Sequence, residues 1–522
     1  MSSLVMGIDI GTTAIKVIVV DALSLDRMDI VAVDSIPHDL VSLHPGWAEE
    51  DALVWRDHLY EILSRMASSV DLSSLKAIGL TGMVPALVCL DSNCVPIRNS
   101  IQQNDMRTGL ELKELSSALE GPESVFGNGF GSGFGCGFGS GFGCGFCAGS
   151  YFQTTGSHVN SQHIAPRLMW LRRNEPYVFS RISWIMGSYD YAAYLLTGAM
   201  HIESNWALES GLFSLDGALL EPVLGYTGLP ASVLPPVIES HGLCGVVEES
   251  VSLLTGIPAG VPVYAGTADH VASAFCTGAH ENGDLVLKLG GAGDILLSLD
   301  HLAIDDRLFI DYFVSSSCPF IINGCTAASG SLIKWFKNEF GGDFKDLDEQ
   351  ASLVPAGSDG LVMLPYVLGE KTPIFDPNAR GVLFGLMLSH TKAHVYRAML
   401  ESVAYAFRHH VDVFRELGVE INNVYITNGG STSPLWRQIM ADVLGMRVDY
   451  IKSNPGSCLG AAFIAGIAHG LWSEDVIGCF TSQRIPSYPN PDATRAYDRG
   501  YSIYRELYPR LKDLFVASSS NC

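Results

Sequence analysis

The sequence predicts an α/β protein of two related domains with a cleft between them. Three observations carry that expectation: a strand–glycine turn–strand unit near residue 10, a similar unit near residue 290, and strongly helical spacing in the second half. In the first unit, Leu4–Ile10 and Lys16–Asp21 read as strands, and Gly11, Thr12, Thr13 and Ala14 between them form a turn with little side-chain bulk. An ordinary hairpin would look the same but for Asp9 at the strand end. A turn of Gly and Thr brings backbone N–H groups and hydroxyls close to an anion, and a carboxylate beside it can hold a hydrated cation.

The second unit is spread over residues 261–299. Val261–Ala265 runs into Gly266, Thr267, Ala268 and Asp269; Leu285–Leu289 is followed by Gly290, Gly291, Ala292 and Gly293, then Ile295–Leu299. This is a weak duplication at domain scale, and a cleft between duplicated domains is the usual place for a ligand. The boundary is expected near Gly242–Val246, giving domains over 1–245 and 246–485 with an extension over 486–522 packed on them. Apolar positions 395, 399, 403, 406, 407, 411 and 414 predict a helix over 394–417. Trp436–Leu444 reads as a shorter helix, reached from the strand Val424–Thr427 through Asn428, Gly429 and Gly430, where a ligand can approach the backbone.

Composition excludes several classes. The 522 residues carry 32 Lys plus Arg against 55 Asp plus Glu, a net charge of −23 that repels nucleic acid and anionic lipid. The N-terminus has no basic region ahead of an apolar one, and the most apolar stretch, Cys458–Trp472, is short for a membrane span and contains His469. The twelve cysteines are scattered and a chain of this length needs no disulfides, so a soluble cytoplasmic protein is expected. The tract 127–149 repeats a Gly-Phe-Gly pattern whose backbone entropy disfavours a core role; it reads as a surface insertion, and Cys144 with Cys147 inside it supply two ligands where zinc wants four.

The motifs, in this order, resemble those of the FGGY carbohydrate kinases of the actin–hexokinase superfamily. Gly7-Ile8-Asp9-Ile10-Gly11-Thr12-Thr13-Ala14-Ile15-Lys16 is similar to the family's first phosphate motif, and Gly46-Trp47-Ala48-Glu49-Glu50-Asp51 with Trp55 to its GWxEqD…W segment. Ile78–Met83 and Asn104–Thr108 correspond to sugar-site elements, and Pro166–Leu171 to the first signature, with Arg167 where Lys is usual. Gly381-Val382-Leu383-Phe384-Gly385-Leu386, followed by His394 through Glu401, fits the second signature position by position, and Asn428-Gly429-Gly430-Ser431 resembles the adenosine motif.

The resemblance implies two ribonuclease-H-like domains and phosphoryl transfer from ATP, with Mg²⁺, to a hydroxyl of a small sugar or polyol. By it Asp269 is the base and a substrate contact, Asp9 serves the metal, and Thr12, Thr13, Lys16, Gly290, Gly291 and Gly293 face the phosphates. Gly429, Gly430 and Ser431 line the adenosine pocket, while Met83, Asp105, Arg107 and Glu370 meet the sugar. A pentulose such as D-xylulose heads the substrates, with ribulose, erythritol and glycerol as alternatives; a homodimer is a further expectation. His270 and His394 have no metal-spaced partners in sequence and read as structural. Three departures stand out: Gly290–Gly293 lacks the two hydroxyls usual in the second phosphate motif, Asp269 is followed by His270, and Gln103 stands where Trp is usual. The rival readings are a sugar-independent ATPase of the superfamily and a catalytically impaired sugar-binding regulator.

Overall fold

Every residue of the strand Leu4–Ile10 is buried, the mark of a central strand covered on both faces. In the computed structural model, which describes residues 3–24, 27–121, 150–452, 456–481 and 483–519, this strand lies in a six-stranded sheet. Leu4–Ile10, Ala14–Ser24 and Arg27–Pro37 form an antiparallel meander. Leu75–Gly82 lies parallel to Leu4–Ile10, Pro262–Ala268 lies parallel to Leu75–Gly82, and Leu243–Val246 closes the edge antiparallel.

A seven-stranded sheet repeats the plan. Asp284–Leu289 and Gly293–Leu299 form the hairpin, Phe320–Thr326 extends it, and Phe309–Tyr312 lies at that edge. On the other side Asn423–Thr427 and Val448–Ile451 follow in parallel, and Arg484–Ser487 closes antiparallel. The hairpin–third strand–two parallel strands order is shared by both sheets, so the duplication read from two glycine turns extends to whole ribonuclease-H-like sheets.

The chain divides into two units: 1–276 with 311–314 and 455–480, and 277–310 with 315–454 and 481–522. The boundary expected at 245 falls between two paired strands of the first sheet, since Val246 pairs with Pro262. Asp269 therefore belongs to the first unit, not to the second as expected. The expected second domain also loses 455–480. The helix Ser457–Ala468 is the apolar stretch noticed in sequence, and it lies flat on the first sheet. Gly7 and Gly79 permit this: a Cβ on either would sit 1.9 Å from the Cys458 carbonyl oxygen or 2.0 Å from that of Ala461. No described helix is long and apolar enough to cross a membrane.

The C-terminal helix Pro491–Ser519 packs on the second unit. The Tyr366 and Tyr504 hydroxyls meet at 2.7 Å, and the Tyr508 hydroxyl donates to Asp376 Oδ2 at 2.8 Å. The Gly-Phe tract and its Cys144–Cys147 pair lie outside the described residues.

Candidate active site

In the first unit, Asp9 is the next-to-last residue of its strand and is 5 % exposed. Its Oδ2 accepts from the Ser457 hydroxyl at 2.6 Å, an anchor 448 positions away that no local signal reveals. Lys16 stands directly opposite Asp9 in the antiparallel register, so the two share a face, and Lys16 is exposed. The intervening turn is braced by His38: its backbone N–H donates to Thr13 O at 3.0 Å and its ring Nε2 lies 2.8 Å from Gly11 O. Thr13 is exposed and Thr12 half-buried. A carboxylate already oriented by one hydroxyl, beside a turn of backbone donors, is a hard-oxygen set suited to Mg²⁺ and its waters next to phosphate oxygens.

Asp269 opens the helix Asp269–Phe275 directly after the strand Pro262–Ala268. The strand is bent at Gly266, where φ is +70° and an added Cβ would lie 1.3 Å from Leu80 O, and the register slips between Tyr264 and Thr267. The displaced end is tied down by buried bonds: the Thr81 hydroxyl donates to Thr267 O at 2.6 Å and Asn205 Nδ2 to Thr267 Oγ1 at 2.7 Å. The Asp269 side chain is left 39 % exposed, unusual beside neighbours so tightly bonded.

Asp105 and Arg107 form a different kind of site from the one expected. Asp105 Oδ1 accepts from the Arg107 backbone N–H at 3.0 Å and Nε at 2.9 Å; Oδ2 accepts from Ala48 N at 2.7 Å and Arg107 Nη2 at 2.6 Å. Four donors fill the acceptor positions of a carboxylate, so Asp105 acts on its surroundings through Arg107 and the Ala48 backbone. Arg107 also reaches Glu49 at 2.7 Å, and its guanidinium lies 3.8 Å from the Trp47 ring centre and 4.9 Å from that of Trp170. Its side chain is 1 % exposed, so the pair is a buried clamp joining the Trp47, Asp105 and Trp170 motifs. Met83 is buried at the adjoining strand end, its N–H on Ile10 O and its carbonyl accepting from Ser188 Oγ at 3.0 Å. Arg167 is wholly buried, donates to Pro85 O at 2.7 Å and is pushed down to about 9 by desolvation.

In the second unit, the two glycine loops end neighbouring parallel strands, with Lys288 opposite Thr427 and the Cβ position of Gly290 3.6 Å from Asn428 Nδ2. Ligands of open α/β sheets bind outside such strand ends. Gly291 and Gly429 have open space where a side chain would go; Gly293 and Gly430 are instead required by the Phe407 and Trp436 rings packed against them. Ser431 is wholly buried, with its hydroxyl on Asn428 O at 2.5 Å, so it closes the turn.

The second glycine turn, which lacks the two hydroxyls, is held by backbone bonds to the start of the next helix. Gly291 O accepts from Ser329 N at 2.9 Å, Ser331 N at 3.1 Å and Ser331 Oγ at 2.9 Å, and Gly290 O accepts from Gly330 N at 2.8 Å. In a trans peptide C=O and N–H point opposite ways, so the Gly291 and Ala292 N–H groups are turned away from the helix Gly330–Phe340.

Glu370, expected at the sugar, is 6 % exposed in the second unit with both oxygens engaged. Oε1 accepts from Ala327 N at 2.9 Å and Lys371 N at 2.8 Å, and Oε2 faces the Thr326 hydroxyl at 2.8 Å. Burial raises its pKa from 4.5 to about 7. A raised carboxyl contributes stability that is present below about 4.5 and lost as pH rises through about 7. The loss amounts to about 3 kcal/mol at 1.36 kcal/mol per unit. Urea midpoints should therefore fall between pH 5 and pH 8.5. Glu370→Gln, whose amide replaces the protonated oxygen opposite Thr326, should flatten that fall; an equally steep fall in the variant would assign it to other groups.

Family models for the N-terminal and C-terminal domains of the FGGY family of carbohydrate kinases match residues 4–131 with 148–276, and 314–469. The chain belongs to this family, and it is an ATP-dependent phosphotransferase that uses an alcohol group as acceptor. Xylulose kinases of Staphylococcus epidermidis and Bacillus subtilis are 26 % and 27 % identical to it over 524 and 525 residues, covering 98 % and 99 % of each chain. The solved xylulose kinase of Rhodospirillum rubrum is 39 % identical, with a TM-score of 0.85 over 98 % of this chain and 99 % of its own. The Plasmodium falciparum glycerol kinase solved with ADP shares the fold, with a TM-score of 0.82 at 18 % identity over 97 % and 98 %. The family match is interrupted from 132 to 147, within the Gly-Phe tract read as an insertion.

Proposed function

We propose that this kinase phosphorylates a hydroxyl of a pentulose such as D-xylulose, with Asp269 as the base. The observation that carries the assignment is Asp269 itself: a carboxylate left partly exposed at a bent strand end whose backbone is tied down by Thr81 and Asn205. Asp9 would hold Mg²⁺ through its water shell, and Lys16, Thr12 and Thr13 would face the phosphates. When bound there, Mg²⁺ would supply positive charge against the transferring phosphoryl group. The Gly291 and Ala292 N–H groups bind phosphate oxygens in place of side-chain hydroxyls, which favours an active enzyme over an impaired regulator. Gly429 leaves room for the adenosine, and Met83 with the Arg107 clamp shapes the sugar side.

Full-length similarity to xylulose kinases supports the pentulose over tetritols and glycerol. A coupled ADP-release assay over D-xylulose, L-xylulose, the ribuloses, erythritol and glycerol tests the reading. D-xylulose should give the highest kcat/KM. Turnover independent of any sugar would indicate an ATPase, and no turnover a regulator.

A further inference from the structure

His270, which looks structural in sequence, is placed by the fold between Asp269 and two carboxylates from distant segments. Its Nε2 lies 3.0 Å from Asp311 Oδ2, in the strand Phe309–Tyr312, and 3.9 Å from Glu209 Oε1, at the end of the helix Ser204–Glu209. Its Nδ1, on the opposite side of the ring, lies 3.6 Å from Asp269 Oδ1. Exposure falls steeply inward: 39 % for the Asp269 side chain, 18 % for Glu209, 11 % for His270 and 1 % for Asp311. Four titratable groups of the first unit thus form a chain from a partly exposed carboxylate to a buried one, with Glu203 a more distant negative neighbour.

Charge accounting in this cluster has one comfortable solution. Desolvation, with Asp311 as a negative neighbour, holds Glu209 well above the usual carboxylate range. The surrounding acids outweigh burial for His270 and hold it well above the ordinary imidazole range. An imidazolium has a donor on each ring nitrogen, which suits a ring flanked by Asp311 on one side and Asp269 on the other.

We infer that His270 is a positioning residue for phosphoryl transfer: doubly protonated and anchored on Asp311 through Nε2, it presents Nδ1 to Asp269 Oδ1 and keeps that carboxylate ionised, so that Oδ2 accepts the substrate's hydroxyl proton. The inference rests on the reading of Asp269 as the base. Glu209, His270 and Asp311 also place one ligand atom each within 4.8 Å of one another, a spacing a metal ion could use. A protonated Nε2 on Asp311 and a metal on the same nitrogen exclude each other, so the two arrangements are separable.

The test is the pH profile of kcat/KM for the sugar, measured on the full chain with saturating Mg²⁺ and ATP. The acid limb reports ionisation of the base in the free enzyme. His270→Gln removes the neighbouring cation and should move that limb up by about one pH unit. The same variant should lower kcat at pH 7 by about tenfold and leave sugar KM within about threefold, a split that loss of packing alone would not give. Asp311→Asn should move the limb in the same direction, and it serves alone if His270→Gln does not fold by circular dichroism. A limb at the wild-type pH in a folded variant overturns the inference, as does a melting temperature of the Mg²⁺-free enzyme that falls on adding a chelator. Retained kcat in Asp269→Asn would remove the base reading itself; an inactive Asp269→Asn with an unmoved limb in His270→Gln removes only the role of His270.

Discussion

Asp269→Asn should lower kcat by roughly 10²–10⁴ while the protein stays folded and sugar KM changes little. That range corresponds to about 3–5 kcal/mol of barrier at 1.36 kcal/mol per decade. The size follows from the chemistry: an attacking hydroxyl must shed its proton as the bond to phosphorus forms, and an amide of the same shape cannot take it. The fold supplies positioning that the substitution leaves intact, since Thr267, Thr81 and Asn205 hold the strand end through atoms other than the Asp269 carboxylate. Steady-state kinetics with circular dichroism of the variant check this. A variant keeping more than half of wild-type kcat would sink the assignment.

Asp9→Asn should raise the Mg²⁺ concentration for half-maximal turnover by about tenfold or more, because an anion that orients the cation's waters becomes a neutral amide. Asn keeps an oxygen for the Ser457 hydroxyl, so stability should change little. Asp9→Ala removes that acceptor as well and should cost about 1 kcal/mol of folding free energy in addition. Comparing the two separates the charge from the hydrogen bond. A Mg²⁺ titration of Asp9→Asn that overlays the wild type would reduce Asp9 to a structural partner of Ser457.

Several residues changed meaning between sequence and structure, each for a reason of packing. Gly7 and Gly79 look like parts of ligand motifs, yet both are small because the helix Ser457–Ala468 lies directly on them. Asp105 reads as a polyol contact, but its acceptor positions are filled by Ala48 and Arg107. Arg107, read in sequence as a sugar contact, is instead sealed against Trp47, Trp170 and Glu49. Glu370 and Ser431 are likewise buried with their polar atoms engaged, Glu370 on Thr326, Ala327 and Lys371 and Ser431 on Asn428.

What the sequence determined alone is local: the two strand–glycine–strand units, the long amphipathic helix, and acids at the strand ends. These follow from side-chain periodicity and backbone freedom within a few residues of each other, and ordered motifs along the chain were enough to place it in its family. What only the tertiary structure decided is which distant groups meet. Ser457 reaches Asp9 across 448 positions, Asp311 reaches His270 across 41, and the segment 455–480 returns to the first unit before 481–522 completes the second. No local signal encodes such pairings, because burial, hydrogen-bond saturation and charge state belong to the folded neighbourhood and arise only once the sheets bring those residues together.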